Sequence, residues 1–188
     1  MNHQTIKVFK SHVDAIIPQY QTTGSACFDL HACLPAGMEV QTSSGIASVK
    51  LKIGMDSDGT QLKETRLEEG KPGLSEQLWL EPGQRALIPT GLIFNIPKDH
   101  LIKLFVRSGV AWKQGLSLIN STGIIDYDYV EPVYVAMINN SSETQVIYHK
   151  DRIAQARLEE SIQHLLSEVK TKPKAKSTRE GGFGSTGS

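Results

Sequence analysis

The chain carries no excess of either charge. Lys plus Arg number 20 and Asp plus Glu number 20 in 188 residues, for a formal net charge of +0. That balance excludes a general nucleic-acid binder, which needs a basic surplus to displace counterions. It also leaves no large field to steer a charged partner. Cysteine is scarce: Cys27 and Cys33 are the two in the chain, and their spacing fits no metal site. On one continuous strand they would stand about 20 Å apart, too far for a disulfide. Two free thiols suit a reducing compartment, so the expected location is the cytoplasm, or the host cytoplasm for a viral protein. No run approaches the ~18 apolar residues of a membrane span. The start, MNHQTIKVFK, alternates polar and apolar residues and has no apolar signal core. Also missing are a G-x-x-x-x-G-K-[ST] loop, an H-x-E…P-C-x-x-C signature, a G-x-S-x-G elbow and any histidine cluster. A P-loop, a zinc deaminase centre and covalent catalysis by Ser or Cys therefore have no support.

What is present reads as one domain with short strands. The hydrophobic fraction, 39%, is enough for an ordinary core. Ile6 and Val8 alternate with Lys7, and Phe28, Leu30 and Ala32 alternate with Asp29 and His31. Further runs are Leu87-Ile88, Leu92-Ile93-Phe94, Leu101 to Val106, Val133 to Ile138 and Val146 to Tyr148. Turn signals punctuate them, among them Glu81-Pro82-Gly83, Pro89-Thr90-Gly91 and Asn139-Asn140-Ser141-Ser142. Such a pattern predicts a sandwich, jelly roll or barrel. Ile162, Leu165, Leu166 and Val169 follow a helical spacing, with a final irregular strand as the competing reading.

Two segments stand apart. Residues 41–78 are rich in Ser, Thr, Gly, Lys and Glu; Val49, Leu51 and Ile53 alternate there before Asp56-Ser57-Asp58-Gly59, a hairpin signal. Asp56 and Asp58 resemble a fragment of a calcium loop but lack the other ligands, so a plain turn is expected. The C-terminal KTKPKAKSTREGGFGSTGS holds one large apolar residue, Phe183, and cannot offset its own ordering entropy.

The densest chemistry runs from Arg107 to Tyr129. It offers Asp, Arg, Ser, Asn, Tyr and glycines, the groups that grip a phosphorylated ligand and activate water. Five motifs then appear in order. They are Ala26-Cys27-Phe28-Asp29-Leu30, Val106-Arg107-Ser108-Gly109-Val110-Ala111, Gly123-Ile124-Ile125-Asp126-Tyr127-Asp128-Tyr129, Asp151-Arg152-Ile153-Ala154-Gln155, and Gly181-Gly182-Phe183-Gly184-Ser185-Thr186-Gly187. Together they resemble the A-G-x-D-L, P-R-S-G-L-A, G-x-I-D-x-D-Y, G-x-R-I-A-Q and G-G-F-G-S-T-G motifs of the homotrimeric dUTPase family, over residues 15–40 and 79–188.

The resemblance implies an all-β, jelly-roll-like (β-clip) fold. Residues 1–170 would form the β domain, carrying insertion 41–78, and residues 171–188 a flexible arm closing over the active site. It implies a Mg²⁺-dependent dUTP diphosphatase that makes dUMP and pyrophosphate, keeping uracil out of DNA, in a homotrimer with shared sites. Asp126, which alone would read as a turn residue, becomes the base for the attacking water. Tyr129, otherwise an ordinary strand aromatic, would lie against the deoxyribose and exclude a 2′-hydroxyl. Asn120, Gly123 and the backbone of Ile125 would read the uracil edge, and Tyr134 would add a contact. Arg107, Ser108, Gly109 and Gln155 would hold phosphate oxygens. Asp29 would reach Mg²⁺ through water, a salt bridge being its competing role. In the arm, Phe183 would stack on uracil, Arg179 would reach the γ-phosphate, and Gly184 and Ser185 would complete the closure.

The chain departs from the family pattern in four places. Cys27 stands where the family has Gly, and Glu131-Pro132 replaces its Gly-Glu or Gly-Gln. Arg179 lies four residues before Phe183 rather than five, and the insertion has no counterpart in short members. Two alternatives follow: a regulatory protein-binding module acting through insertion 41–78, and a related dCTP deaminase. No nucleic acid or membrane partner is expected.

Overall fold

The computed structural model describes residues 5–53 and 74–178. The strands are β1 (Lys7–Lys10), β2 (Phe28–His31), β3 (Glu39–Thr42), β4 (Gly45–Ser48), β5 (Lys50–Ile53), β6 (Leu74–Leu80) and β7 (Arg85–Pro89). They continue with β8 (Leu92–Asn95), β9 (His100–Val106), then the short helix α1 (Ser108–Gln114), β10 (Leu116–Leu118) and β11 (Gly123–Asp126). The last are β12 (Tyr134–Asn139), β13 (Gln145–Tyr148) and β14 (Arg152–Glu160). They pair into sheets of order β10-β12-β7-β3-β4, β11-β9-β14-β2 and β13-β6-β5, with β1 and β8 as a separate ribbon. This is the all-β, jelly-roll-like architecture expected.

Period-2 alternation explains the packing. On β12, Val135, Met137 and Asn139 are buried while Tyr134 is exposed. On β9, Ile102 and Leu104 point inward, and β7 contributes Ala86 and Ile88 to the same core cluster. Each fully buried Val, Ile, Leu or Met among them contributes about 1.5–3 kcal/mol. Phe28 stacks on Phe94 at 6.2 Å, and Tyr20 meets Phe28 edge-on at 5.8 Å. Every apolar run read as a strand from the sequence overlaps one, with Ile6, Ala32, Val49 and Val133 just outside the strand ends.

A buried amide ties the 139–143 turn. Asn139, fully buried, donates to the carbonyls of Leu80 (2.9 Å) and Glu143 (2.8 Å). Its Oδ1 accepts from the N–H and hydroxyl of Ser141, at 2.9 and 2.7 Å. All its donors and one doubly used acceptor are satisfied, which is why a polar group is tolerated at that depth.

Two sequence expectations need revision. Residues 161–169 form neither helix nor strand, and Ile162, Leu165, Leu166 and Val169 are exposed. A short isolated helix does not outweigh its nucleation cost without a surface to cover its apolar face. Segment 41–78 is also partly integral: β4 pairs with β3, and β5 runs antiparallel to β6. The Asp56–Gly59 turn lies outside the described residues. Cys27 is half-buried, Cys33 is buried, and both are free. Among the described residues no helix is long and apolar enough to cross a membrane.

Candidate active site

Two pockets gather the described candidate residues, and no residue lines both. The first, of about 270 Å³, opens beside β11 and is lined by Leu104, Leu118, Asn120, Gly123, Ile124, Ile125, Asp126, Tyr129, Val133, Tyr134 and Ala136. The second, of about 320 Å³, is lined by Gln21, Ser25, Ala26, Cys27, Asp29, Arg107, Ser108, Gly109 and Gln155.

The hairpin pocket is built by close backbone approach. Gly123 pairs with Leu104 across β11 and β9, and a Cβ on Gly123 would come within 3.0 Å of the Leu104 side chain. A larger residue there would press on the Leu104 side chain and push the two strands apart or shift it. Asn120 is exposed in the preceding turn, where Ser121 takes a left-handed φ of 58°. Asp126 ends β11 with its side chain in solvent, and its carbonyl accepts the Tyr129 N–H at 3.2 Å. The loop to β12 is then fastened. Tyr129 donates its hydroxyl to the Pro132 carbonyl at 3.1 Å. The Val133 N–H reaches the Leu92 carbonyl at 2.8 Å, and the Val133 carbonyl accepts both the N–H (3.1 Å) and hydroxyl (2.7 Å) of buried Thr90. Glu131-Pro132 thus gives an ordered exit, with no cis bond among the described residues.

The second pocket is held by charge. Arg107 Nε donates to Asp29 Oδ1 at 2.9 Å, and Arg152 Nη1 to Asp29 Oδ2 at 3.2 Å. Arg107 also reaches the Arg152 carbonyl, at 3.3 Å. Asp29 is nearly buried, and two guanidinium groups satisfy both its oxygens. Gln155 spends one amide N–H on the Val106 carbonyl at 3.1 Å. Ser108 and Gly109, both exposed, open helix α1, whose first-turn N–H groups have no intrahelical acceptor. A Cβ on Gly109 would meet nothing within 4 Å, so the space above it is open to a ligand. Cys27 adopts an ordinary backbone conformation, outside the positive-φ region, and replaces glycine there without strain. Its thiol pKa is raised by burial.

Strand register measures the separation of the pockets. Asp126 faces Leu101 on β9, whereas Asp29 faces Gln155, which faces Phe105. Four residues along a strand and three strand widths across put Asp126 and Asp29 about 20 Å apart. They occupy opposite corners of one sheet. Arg152 is the residue that reading the sequence missed. It stood inside a quoted motif, but its pairing with Asp29 spans 123 positions. Arg179, Phe183, Gly184 and Ser185 lie outside the described residues.

The donor set bears on metal binding. Among the described residues no three His, Cys, Asp or Glu side chains gather as a metal site. A carboxylate already holding two arginines suits water-mediated contact with a hydrated ion carried on a phosphate, not direct ligation.

Comparison with known proteins agrees with these observations. The sequence model of the dUTPase family matches residues 73–187. A deoxyuridine 5′-triphosphate nucleotidohydrolase of Nautilia profundicola is 31% identical over 97% of this chain and 98% of its own length. Among solved structures, the Staphylococcus bacteriophage 80alpha dUTPase with dUPNHPP superposes with a TM-score of 0.66 at 20% identity, covering 99% of this chain and 100% of that one. A mutant dUTPase from phage phi11 of S. aureus, described with a structural Mg(II) ion, gives 0.63 at 18% identity over 91% of this chain and 100% of that one. At such identities the two structures speak for the fold. The family match over more than half the chain, and the near end-to-end relative, place this protein in the dUTPase family.

Proposed function

We propose that this protein hydrolyses dUTP to dUMP and pyrophosphate, at active sites assembled between copies in a homotrimer. The observation that carries the shared site is the separation of the two pockets. Neighbouring phosphorus atoms in a triphosphate are a few ångströms apart, whereas Asp126 and the Asp29–Arg107 cluster lie about 20 Å apart across the sheet. A base and a phosphate grip must both lie within contact of the reacting group. One chain's hairpin pocket therefore takes the nucleoside, and a neighbour's arginine pocket takes the phosphates.

In this reading Asp126 accepts a proton from the water that attacks the α-phosphorus in line. The exposed position of its carboxylate suits a base that must be ionised. The Asn120 amide and the Ile125 backbone meet the uracil edge. Tyr129 covers the sugar, and Tyr134 closes the side of the pocket. Across the interface, Arg107 binds phosphate charge while Asp29 and Arg152 fix its plane. Ser108, Gly109 and the free amide N–H of Gln155 donate to phosphate oxygens. Mg²⁺ would arrive on the triphosphate, with Asp29 reaching its hydration shell through water, and would spread the phosphate charge when bound. The arm, residues 171–188, brings Arg179, Phe183, Gly184 and Ser185 over the nucleotide and excludes water.

The test is pyrophosphate release from dUTP, with dTTP, dCTP and UTP in parallel, each with and without Mg²⁺. Mg²⁺-dependent release from dUTP alone is expected. Ammonia release from dCTP would instead favour a deaminase, and a folded protein inert toward all four would refute the proposal.

A further inference from the structure

We propose that the Pro132 carbonyl is a positioning group that tethers the Tyr129 ring over the deoxyribose and thereby sets the rejection of a 2′-hydroxyl. This rests on the dUTP reading above and deepens it at a position where the chain departs from the family pattern. Tyr129 is 40% exposed, so packing alone does not fix its ring. It is instead fastened at both ends, by its N–H to the Asp126 carbonyl (3.2 Å) and by its hydroxyl to the Pro132 carbonyl (3.1 Å).

The acceptor is itself rigid. Pro132 has a locked φ and biases Glu131 toward extended conformations. The next residue, Val133, is held by three hydrogen bonds from the β7–β8 turn, through Thr90 and Leu92. Thr90 is 1% exposed, so this anchor is shielded from water. The tether therefore joins the pocket's aromatic wall to the core. A ring held only at its Cβ can swing aside and admit a ribose. A ring tethered at its far end must break a hydrogen bond to do so. The discrimination is built before substrate arrives, at no ordering cost on binding.

Tyr129→Phe keeps the ring and removes the tether. Pro132→Gly keeps the carbonyl but frees its backbone. The measurement is kcat/KM for dUTP and for UTP, side by side, on the full-length wild type, both single variants and the double variant. Tyr129→Phe should lower the dUTP:UTP ratio about threefold to tenfold, the range of one modest hydrogen bond. The change should come mainly from a lower KM for UTP. Pro132→Gly should shift the ratio the same way by less. The double variant should fall no further than Tyr129→Phe, because both act on one tether. Losses equal for the two nucleotides, with the ratio unchanged, would reduce the contact to loop integrity and overturn the proposal. A wild type that turns over UTP as readily as dUTP would overturn it together with the reading beneath it, which separates the two failures.

Discussion

The two pockets of this chain are organised by opposite means. The hairpin pocket is fixed by backbone: a glycine packed on Leu104, a Tyr129 N–H on the Asp126 carbonyl, and a Val133 peptide pinned by Thr90 and Leu92. Its one catalytic candidate, Asp126, has no ion pair among the described residues. The other pocket is fixed by charge, with Asp29 between Arg107 and Arg152. On the proposed function, the difference follows the chemistry asked of each. A base must keep its carboxylate free, so geometry comes from the main chain beneath it. A phosphate grip needs an oriented guanidinium, and a nearly buried carboxylate orients it better than a flexible stem does.

Mutations should divide along the same line. Asp126→Asn should lower kcat about 10²–10⁴-fold, the usual worth of a general base, while dUTP binding and the melting temperature stay near wild type. Calorimetric binding beside turnover checks this, and a near-normal kcat removes Asp126 as base. Asp29→Ala should weaken both function and fold. It strands two arginines that are themselves 27% and 45% exposed, so solvent reduces the cost to about 1–3 kcal/mol. A shifted urea midpoint measures it; an unchanged midpoint means the cluster is functional only.

How far the site was legible depends on the same contrast. The hairpin pocket was readable because its candidate ligand-contacting residues lie within fifteen positions, from Asn120 to Tyr134. In the arginine cluster Arg107 and Asp29 were named and a salt bridge was the competing role for Asp29, but its partners were not legible, since they lie 78 and 123 positions away. Similar limits applied to the fold. Strands with large inward residues, such as Ile102 and Leu104 on β9, announced themselves by alternation. The nine-residue β14 did not, because its buried residues include Ala154 and Ala156 among charged neighbours. Small side chains bury fully while adding little to the apolar pattern. Helix α1 buries Val110 alone, too little for a helical period to show. At 162–169 the period was present and misleading, since local spacing says nothing about whether a surface exists to receive it.

Smaller effects are expected from two further perturbations. Gly123→Ala should destabilise by about 1 kcal/mol, the low end for overpacking, through its contact with Leu104. A chemical-denaturation curve showing no loss would mean the hairpin relaxes freely. The smallest effect concerns pH. His149 Nδ1 accepts the Leu34 N–H at 2.9 Å, and burial lowers the pKa of this imidazole. Burial lowers that of His31 as well, whose Nδ1 has no hydrogen-bond partner. Below the ordinary histidine pKa, about 6.5, the unfolded chain binds more protons than the native state, so stability should fall as pH drops. His149→Gln should flatten part of that dependence in melting curves; an unaltered slope would assign it elsewhere.

If the proposed site is shared between copies, the two pockets of one chain serve different nucleotides, and mixing two inactive variants shows whether they do. Asp126→Asn and Arg107→Ala, each purified and each inactive, are unfolded together in equal amounts and refolded so that subunits exchange. If each site takes its base from one chain and its phosphate grip from a neighbour, about a quarter of the sites in randomly mixed trimers recover both intact halves. Activity should then return to about a quarter of the refolded wild type. Mixed trimers, verified by mass, that stay inactive would mean that every site needs both groups from the same chain, and would contradict the account.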